Sequence, residues 1–168
     1  YCDVFCEKGY FSIEDTRRIL ETAMDYDLKP RLHADEFVDS GAAELAAEVG
    51  AVSADHLMAV SDTGIKAMAE NGVIATLLPG TTLFLGKNKY APGRKMIDSG
   101  CELALATDFN PGSCTIQSMP LIISLACLYC GLSIEEAFMA TTWNGARALN
   151  REKKMGAIST GYQADLLF

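Results

Sequence analysis

Long apolar runs are missing from this 168-residue chain. A membrane-spanning helix needs about 18 consecutive apolar residues. The longest clear run, Leu121–Tyr129, is half of that, so no membrane partner is expected. Positive charge is scarce too: 14 basic residues stand against 22 acidic ones, a net charge of −8. Without a basic stripe there is no footprint for a phosphate backbone, so no nucleic-acid partner is expected. Small substrates stay open, because one local cluster outweighs a global average. Cysteine, at six residues, is too sparse for the disulfide frameworks of short secreted chains. Cys127 and Cys130 have C-x-x-C spacing, but they lie in the apolar stretch Leu121–Leu132. They read as buried helix thiols in a reducing cytoplasm. No G-x-G-x-x-G follows a strand-like segment, so no dinucleotide fingerprint is present. The chain has no starting Met and opens as if inside a strand, which makes a fragment of a longer protein the expectation. What remains, 49% hydrophobic and 21% charged, is the composition of a folded globular protein.

The pattern along the chain is strand, then helix, repeated. Strands are predicted at Asp3–Glu7, Arg31–Ala34, Ala51–His56, Val73–Leu78 and Glu102–Thr107. Ser12 caps the first helix, with Asp15 completing a capping box, and Lys29-Pro30 stops it. Further helices are predicted over Gly41–Val49, from Ser61 to Asn71-Gly72, and over Gly93–Ser99, Met119–Cys130, Ile134–Thr142 and Asn144–Leu149. Ser133 and Glu136 form a second capping box, and Pro79–Tyr90 reads as a long loop. The strand ends Glu7, Glu36, His56, Pro79 and Asp108 are spaced by 29, 20, 23 and 29 residues, the rhythm of successive βα units. A full (β/α)8 barrel needs ~250 residues. Five units therefore fit the last five-eighths of a barrel, or a complete open sheet.

Chemistry in either fold gathers at the carboxyl ends of the strands. Those ends carry Glu7, His33, Asp35, Glu36, His56, Asp108 and Asn110, including both histidines of the chain. Alternation pairs Arg31 with His33, Ala54 with His56, and Ala104 and Ala106 with Asp108 on the inner face; Leu103 and Leu105 fall outside. Imidazole and carboxylate are common ligands of zinc or iron. A bound metal lowers the pKa of water towards ~7, and a nearby carboxylate can carry the proton. His33 and Asp108 are candidate ligands and Glu36 the candidate proton carrier. Two ligands are fewer than the three a catalytic zinc usually keeps. A hydrogen-bonded core histidine and a turn carboxylate are the plainer readings of the same residues.

Leu32-His-Ala-Asp-Glu-Phe37, Ala54-Asp-His56 and Ala106-Thr-Asp-Phe-Asn-Pro-Gly-Ser113 resemble the imidazolonepropionase family of the amidohydrolase superfamily. The likeness runs to Gly161-Tyr-Gln-Ala-Asp-Leu166. It implies that residues 1–160 are about the last five strands of a (β/α)8 TIM-like barrel. Residues 161–168 would start the return to a small β-sandwich. It also implies a hydrolase with one zinc or iron per site, opening the ring of 4-imidazolone-5-propanoate to N-formimidoyl-L-glutamate. Carried over, His33 and Asp108 become metal ligands, Glu36 touches the ring and moves protons, and His56 orients the attacked carbonyl. Asn110 and Gly112 would hold the glutamate portion and Ser113 the imidazolone. Ser113 could equally cap a helix before Ile116, and Pro111-Gly112 is a common turn pair. The resemblance allows a homodimer. The family's remaining metal histidines form a His-x-His on its first strand, and this chain has none. The piece alone is therefore expected to be inactive. Arg31 lies about 6–7 Å below the rim and reads as an ion-paired residue. Lys89 and Tyr90 read as a solvated loop tip. The rival readings are an amidohydrolase that deaminates a purine or pyrimidine, and a non-catalytic remnant.

Overall fold

The computed structural model describes residues 1–166. Its elements run β1 (Cys2–Cys6), α1 (Ile13–Met24), β2 (Pro30–Ala34), α2 (Ala42–Glu48), β3 (Ser53–His56), α3 (Asp62–Asn71), β4 (Ile74–Leu77), α4 (Pro79–Phe84), α5 (Gly93–Asp98), β5 (Leu103–Leu105), α6 (Met119–Tyr129), α7 (Ile134–Thr141) and α8 (Trp143–Ala148). The five strands form one sheet in the order β1-β2-β3-β4-β5, and every neighbouring pair is parallel. A doubly wound sheet reverses its strand order and covers both faces with helices. Here the order never reverses. A right-handed crossover repeated in one direction keeps returning helices to the same face. The sheet is an arc of a barrel.

Register shows what each face is made of. Val4, Leu32 and Ala54 lie side by side, as do Cys6 and Ala34, Ala75 and Leu103, and Leu77 and Leu105. All are buried in one core with Leu20, Leu45, Ile65, Met68, Met96 and Ile122 from the helices. The opposite face pairs Asp3 with Arg31, Phe5 with His33, His33 with Asp55, and Asp55 with Thr76. At its amino end, Ala148 of α8 packs on Ile74 and Ala104, and Asn144 Nδ2 donates to the Leu103 carbonyl. One face thus buries aliphatic side chains, and the other carries charge.

Three sequence expectations change. Pro79–Tyr90 is not a loop throughout, because α4 starts at Pro79. Proline suits a first helical turn, where its missing N–H loses nothing. Asp15 does not complete a capping box. Its side chain accepts the Ser12 hydroxyl rather than reaching the Ser12 N–H. Ala54 lies on the helix-covered face, beside Leu32 and Ala75. Simple alternation would send His56 to that side with it. The Ser12 and Ser61 caps, the left-handed Gly72 stop and the Ser133–Glu136 capping box stand as read. Residues 161–166 form no strand, and 167–168, the end of the expected return to a β-sandwich, lie outside the described residues.

Candidate metal centre at the strand ends

Three strands that carry candidate site residues end on non-glycine residues with positive φ: Asp35 (48°) after β2, His56 (78°) and Leu57 (63°) at β3, and Asp108 (53°) after β5. Such backbone costs on the order of 1–3 kcal/mol per residue and clusters at functional sites. Its effect here is to re-aim side chains. At β3 it turns His56 away from the face its parity dictates. The His56 ring comes to 5.2 Å from the His33 ring. At β2 it sends the Asp35 carboxylate towards α2, where it accepts from the N–H groups of Ser40, Ala42 and Ala43 and from the Ser40 hydroxyl. Asp35 is therefore an anchor, and the loop it ties down presents Glu36. On the other side, the Glu7 carboxylate accepts the Phe37 N–H at 2.8 Å. Glu36 is pinned from both flanks.

His33 stands on the charged face of β2. Its Nδ1 lies 3.1 Å from Asp3 Oδ1. That hydrogen bond, opposed by burial, raises the His33 pKa. With Nδ1–H given to Asp3, Nε2 is the nitrogen left for a ligand, the usual arrangement behind a metal-bound histidine. Burial pushes Asp3 up, but the His33 bond and the nearby Arg31 charge outweigh it, and the net shift is down. Asp108 accepts the Thr81 hydroxyl at Oδ2, 2.6 Å away.

Glu36 and His56 are pushed apart in pKa. Burial is the main cause for both. It raises Glu36 to about 7, with the Asp108 and Glu7 charges adding and His33 opposing. It lowers His56 to about 4, with His33 adding to the effect. The Glu36 Oε1 to His56 Nδ1 separation is 3.6 Å, too long for a hydrogen bond. His56 Nδ1 is buried without a partner. Near neutral pH the site therefore holds a half-ionised carboxyl beside a neutral imidazole.

His33, Glu36, His56 and Asp108 thus gather at one end of the arc, as the sequence indicated. The loop after Asp108 forms the turn that is one of the two readings of its residues. Asn110 Oδ1 accepts from the N–H groups of Gly112 and Ser113, and its Nδ2 donates to the Asp108 carbonyl and the Ser113 hydroxyl. Asn110 is occupied in building its own turn. Ser113 caps no helix, since Ser118 caps α6.

Two acidic groupings could mislead a search for metal. The ligand atoms of Asp3, His33 and Asp55 lie within 4.8 Å of one another. Arg31, however, stands 3.6 Å from Asp55, and Ser53 donates to Asp55 at 2.9 Å. That arginine supplies the positive charge a cation would bring, as its reading as an ion-paired residue anticipated. Asp35, Asp39 and Glu44 form the second grouping, and the donors on Asp35 already fill it. Asp3 and Thr81 escaped the sequence reading. Strand parity and the pairing with Arg31 could have found Asp3. Thr81 was hidden by reading α4 as loop. Tyr90 is no solvated tip either: it stacks on Tyr129 with ring centroids 4.6 Å apart. The six cysteines are free thiols. Burial pushes Cys130 up to about 12, which leaves it inert. Among the described residues, no helix is long and apolar enough to cross a membrane.

The amidohydrolase family model matches residues 11–168, and the chain belongs to that family. Within it, the chain is similar to the imidazolonepropionase of Bacteroides fragilis, 59% identical over 167 residues. That alignment covers 99% of this chain and 40% of the relative. It is also similar to the imidazolonepropionase of Alkaliphilus oremlandii, 51% identical over 99% of this chain and 39% of the relative. The chain thus spans about 40% of the length of the curated relatives it matches. Among solved structures, an adenosine deaminase from Xanthomonas campestris with bound zinc superposes with a TM-score of 0.77 at 23% identity, covering 93% of this chain and 40% of that one. A guanine deaminase from C. acetobutylicum gives 0.74 at 19%, covering 95% and 43%. At those identities the likeness establishes the fold.

Proposed function

We propose that the protein carrying this chain opens the ring of 4-imidazolone-5-propanoate with water to give N-formimidoyl-L-glutamate, a step in histidine degradation. The observation that carries this is the pair formed by Glu36, raised to about 7, and neutral His56, beside His33 and Asp108. The 59% identity to an imidazolonepropionase supports the choice of ring.

The donor chemistry fits zinc or iron. His33 Nε2 is left over by the Asp3 bond, and Asp108 Oδ1 is left over by Thr81. His33 and Asp108 are the residues that would hold the metal. When bound, it would supply Lewis acidity and make water a nucleophile at neutral pH. Glu36 takes the proton from the attacking water. The oxygen adds to the ring carbonyl carbon, the ring C–N bond breaks, and Glu36 returns the proton to the departing nitrogen. His56, neutral and with Nδ1 unpartnered, orients the carbonyl. The turn built by Asn110, with Gly112 and Ser113, holds the glutamate portion and the ring. The six free thiols fit the proposed cytoplasmic setting. A homodimer is the assembly proposed with it, and residues 161–168 are proposed to lead into a small β-sandwich.

The test is to incubate the purified full-length protein with 4-imidazolone-5-propanoate, guanine and cytosine. Formation of N-formimidoyl-L-glutamate is expected. Ammonia release from either base, with no turnover of the imidazolone, would make the protein a deaminase instead.

A further inference from the structure

Thr81 is fully buried, and its hydroxyl has one acceptor, Asp108 Oδ2, at 2.6 Å. The helix that carries it is clamped on several sides. A Cβ on Gly80 would stand 2.7 Å from the tip of Ile122 and 3.4 Å from Cys114 Sγ, so α4 packs closely against α6 and the Cys114 loop. The Thr82 hydroxyl lies 2.8 Å from Met58 Sδ. Thr81 is thus presented by a closely packed helix. Asp108 is held from the other direction through its backbone, where the carbonyl accepts from Asn110 Nδ2 at 2.7 Å. Among the described residues no other donor reaches the Asp108 carboxylate. One oxygen is occupied and the other is free.

We propose that Thr81 is the positioning residue of Asp108: its hydroxyl fixes Oδ2 and thereby leaves Oδ1 as the oxygen offered to the metal. This rests on Asp108 being a ligand. A carboxylate can rotate about its terminal bond, and each oxygen can accept more than one hydrogen bond. A short hydrogen bond to one oxygen removes that freedom before any metal arrives. Groups that orient metal ligands in this way typically change metal affinity or activity by about 10–100-fold when removed.

The experiment uses the full-length protein and zinc as the probe. Zinc dissociation constants are measured by competition with a chromogenic chelator for wild type, Thr81→Val, Thr81→Ser and Asp108→Ala, with turnover of 4-imidazolone-5-propanoate alongside. Thr81→Val keeps the shape and deletes the hydroxyl, and it is expected to weaken zinc binding by about 10–100-fold. Thr81→Ser keeps the hydroxyl and loses a methyl group, and it is expected to bind zinc like wild type. A purely structural role for Thr81 predicts the reverse order, since serine leaves a void and valine fills it. Valine binding zinc as tightly as wild type, or serine losing as much as valine, would overturn the proposal. If the valine variant does not fold, serine still decides: retained affinity supports the proposal and lost affinity overturns it. Asp108→Ala separates the two layers. Unchanged zinc affinity there would overturn the ligand assignment itself. Lost affinity there with an unaffected valine variant would overturn only the role of Thr81.

Discussion

On one face of the sheet Leu32, Ala54, Leu77 and Leu105 are buried among the helices. On the other face, in the same strands, Asp3, Arg31, His33 and Asp55 lie side by side. The first face completes its packing with side chains a few turns away in the chain. The second cannot bury charge without partners, and it solves this internally: Asp3 takes His33 and Asp55 takes Arg31. Only at the carboxyl end is the rule broken. There Glu36 and His56 are buried without a hydrogen bond between them, on backbone held in a costly conformation. Stability comes from the aliphatic face, and the proposed chemistry is placed where stability has been given up.

That contrast can be broken at either side. The largest effect is expected at the strand ends. Glu36→Gln in the full-length protein should lower turnover by about 10²–10⁴-fold while metal content, read by plasma emission, stays at the wild-type level. On the aliphatic face the outcome should be opposite. Leu32→Ala, at a fully buried position, should cost about 2–5 kcal/mol in urea unfolding while folded molecules keep their turnover.

The pH dependence sharpens the comparison further. Glu36 ionises at about 7 when folded against 4.5 for the free group, so its burial penalty is absent below pH 4.5 and fully present above 7. His56 is the mirror case, with a penalty absent above 6.5 and full below about 4. Each is worth about 3 kcal/mol by linkage. With metal removed, the Glu36 loss and the His56 gain should largely offset each other between pH 4.5 and 6.5 in the wild type, and Glu36→Gln, which removes the loss, should let stability rise through that window. Urea midpoints across pH 4 to 8 read it directly. A smaller effect is expected far from both faces: Ser133→Ala, which deletes the capping-box hydroxyl on α7, should cost about 1 kcal/mol and leave metal and turnover alone.

The aliphatic face was legible in the sequence because it follows local rules. Leu103 and Leu105 alternate, caps begin helices at Ser12, Ser61 and Ser133, and Gly72 ends one. The gathering of His33, Glu36, His56 and Asp108 at one end of the arc was legible as well, since polar residues closing apolar strands stand out. How His56 arrives was not. Parity places Ala54 and His56 together, and two successive positive φ angles undo it. No residue type announces such angles when neither is glycine. Asp3 and Thr81 were hidden because their meaning depends on partners 30 and 27 residues away. The residues of the Asn110 turn suit both a turn and a ligand contact, so sequence alone leaves both readings open.

The central claim is that metal belongs to the strand ends and not to the charged face beneath them. Anomalous diffraction at the zinc edge from crystals of the full-length protein tests it most directly. A single peak within about 2.0–2.2 Å of His33 and Asp108, with Glu36 outside that distance, is the expected result. A peak seated among Asp3, His33 and Asp55, or Glu36 itself bound to the metal, would contradict it.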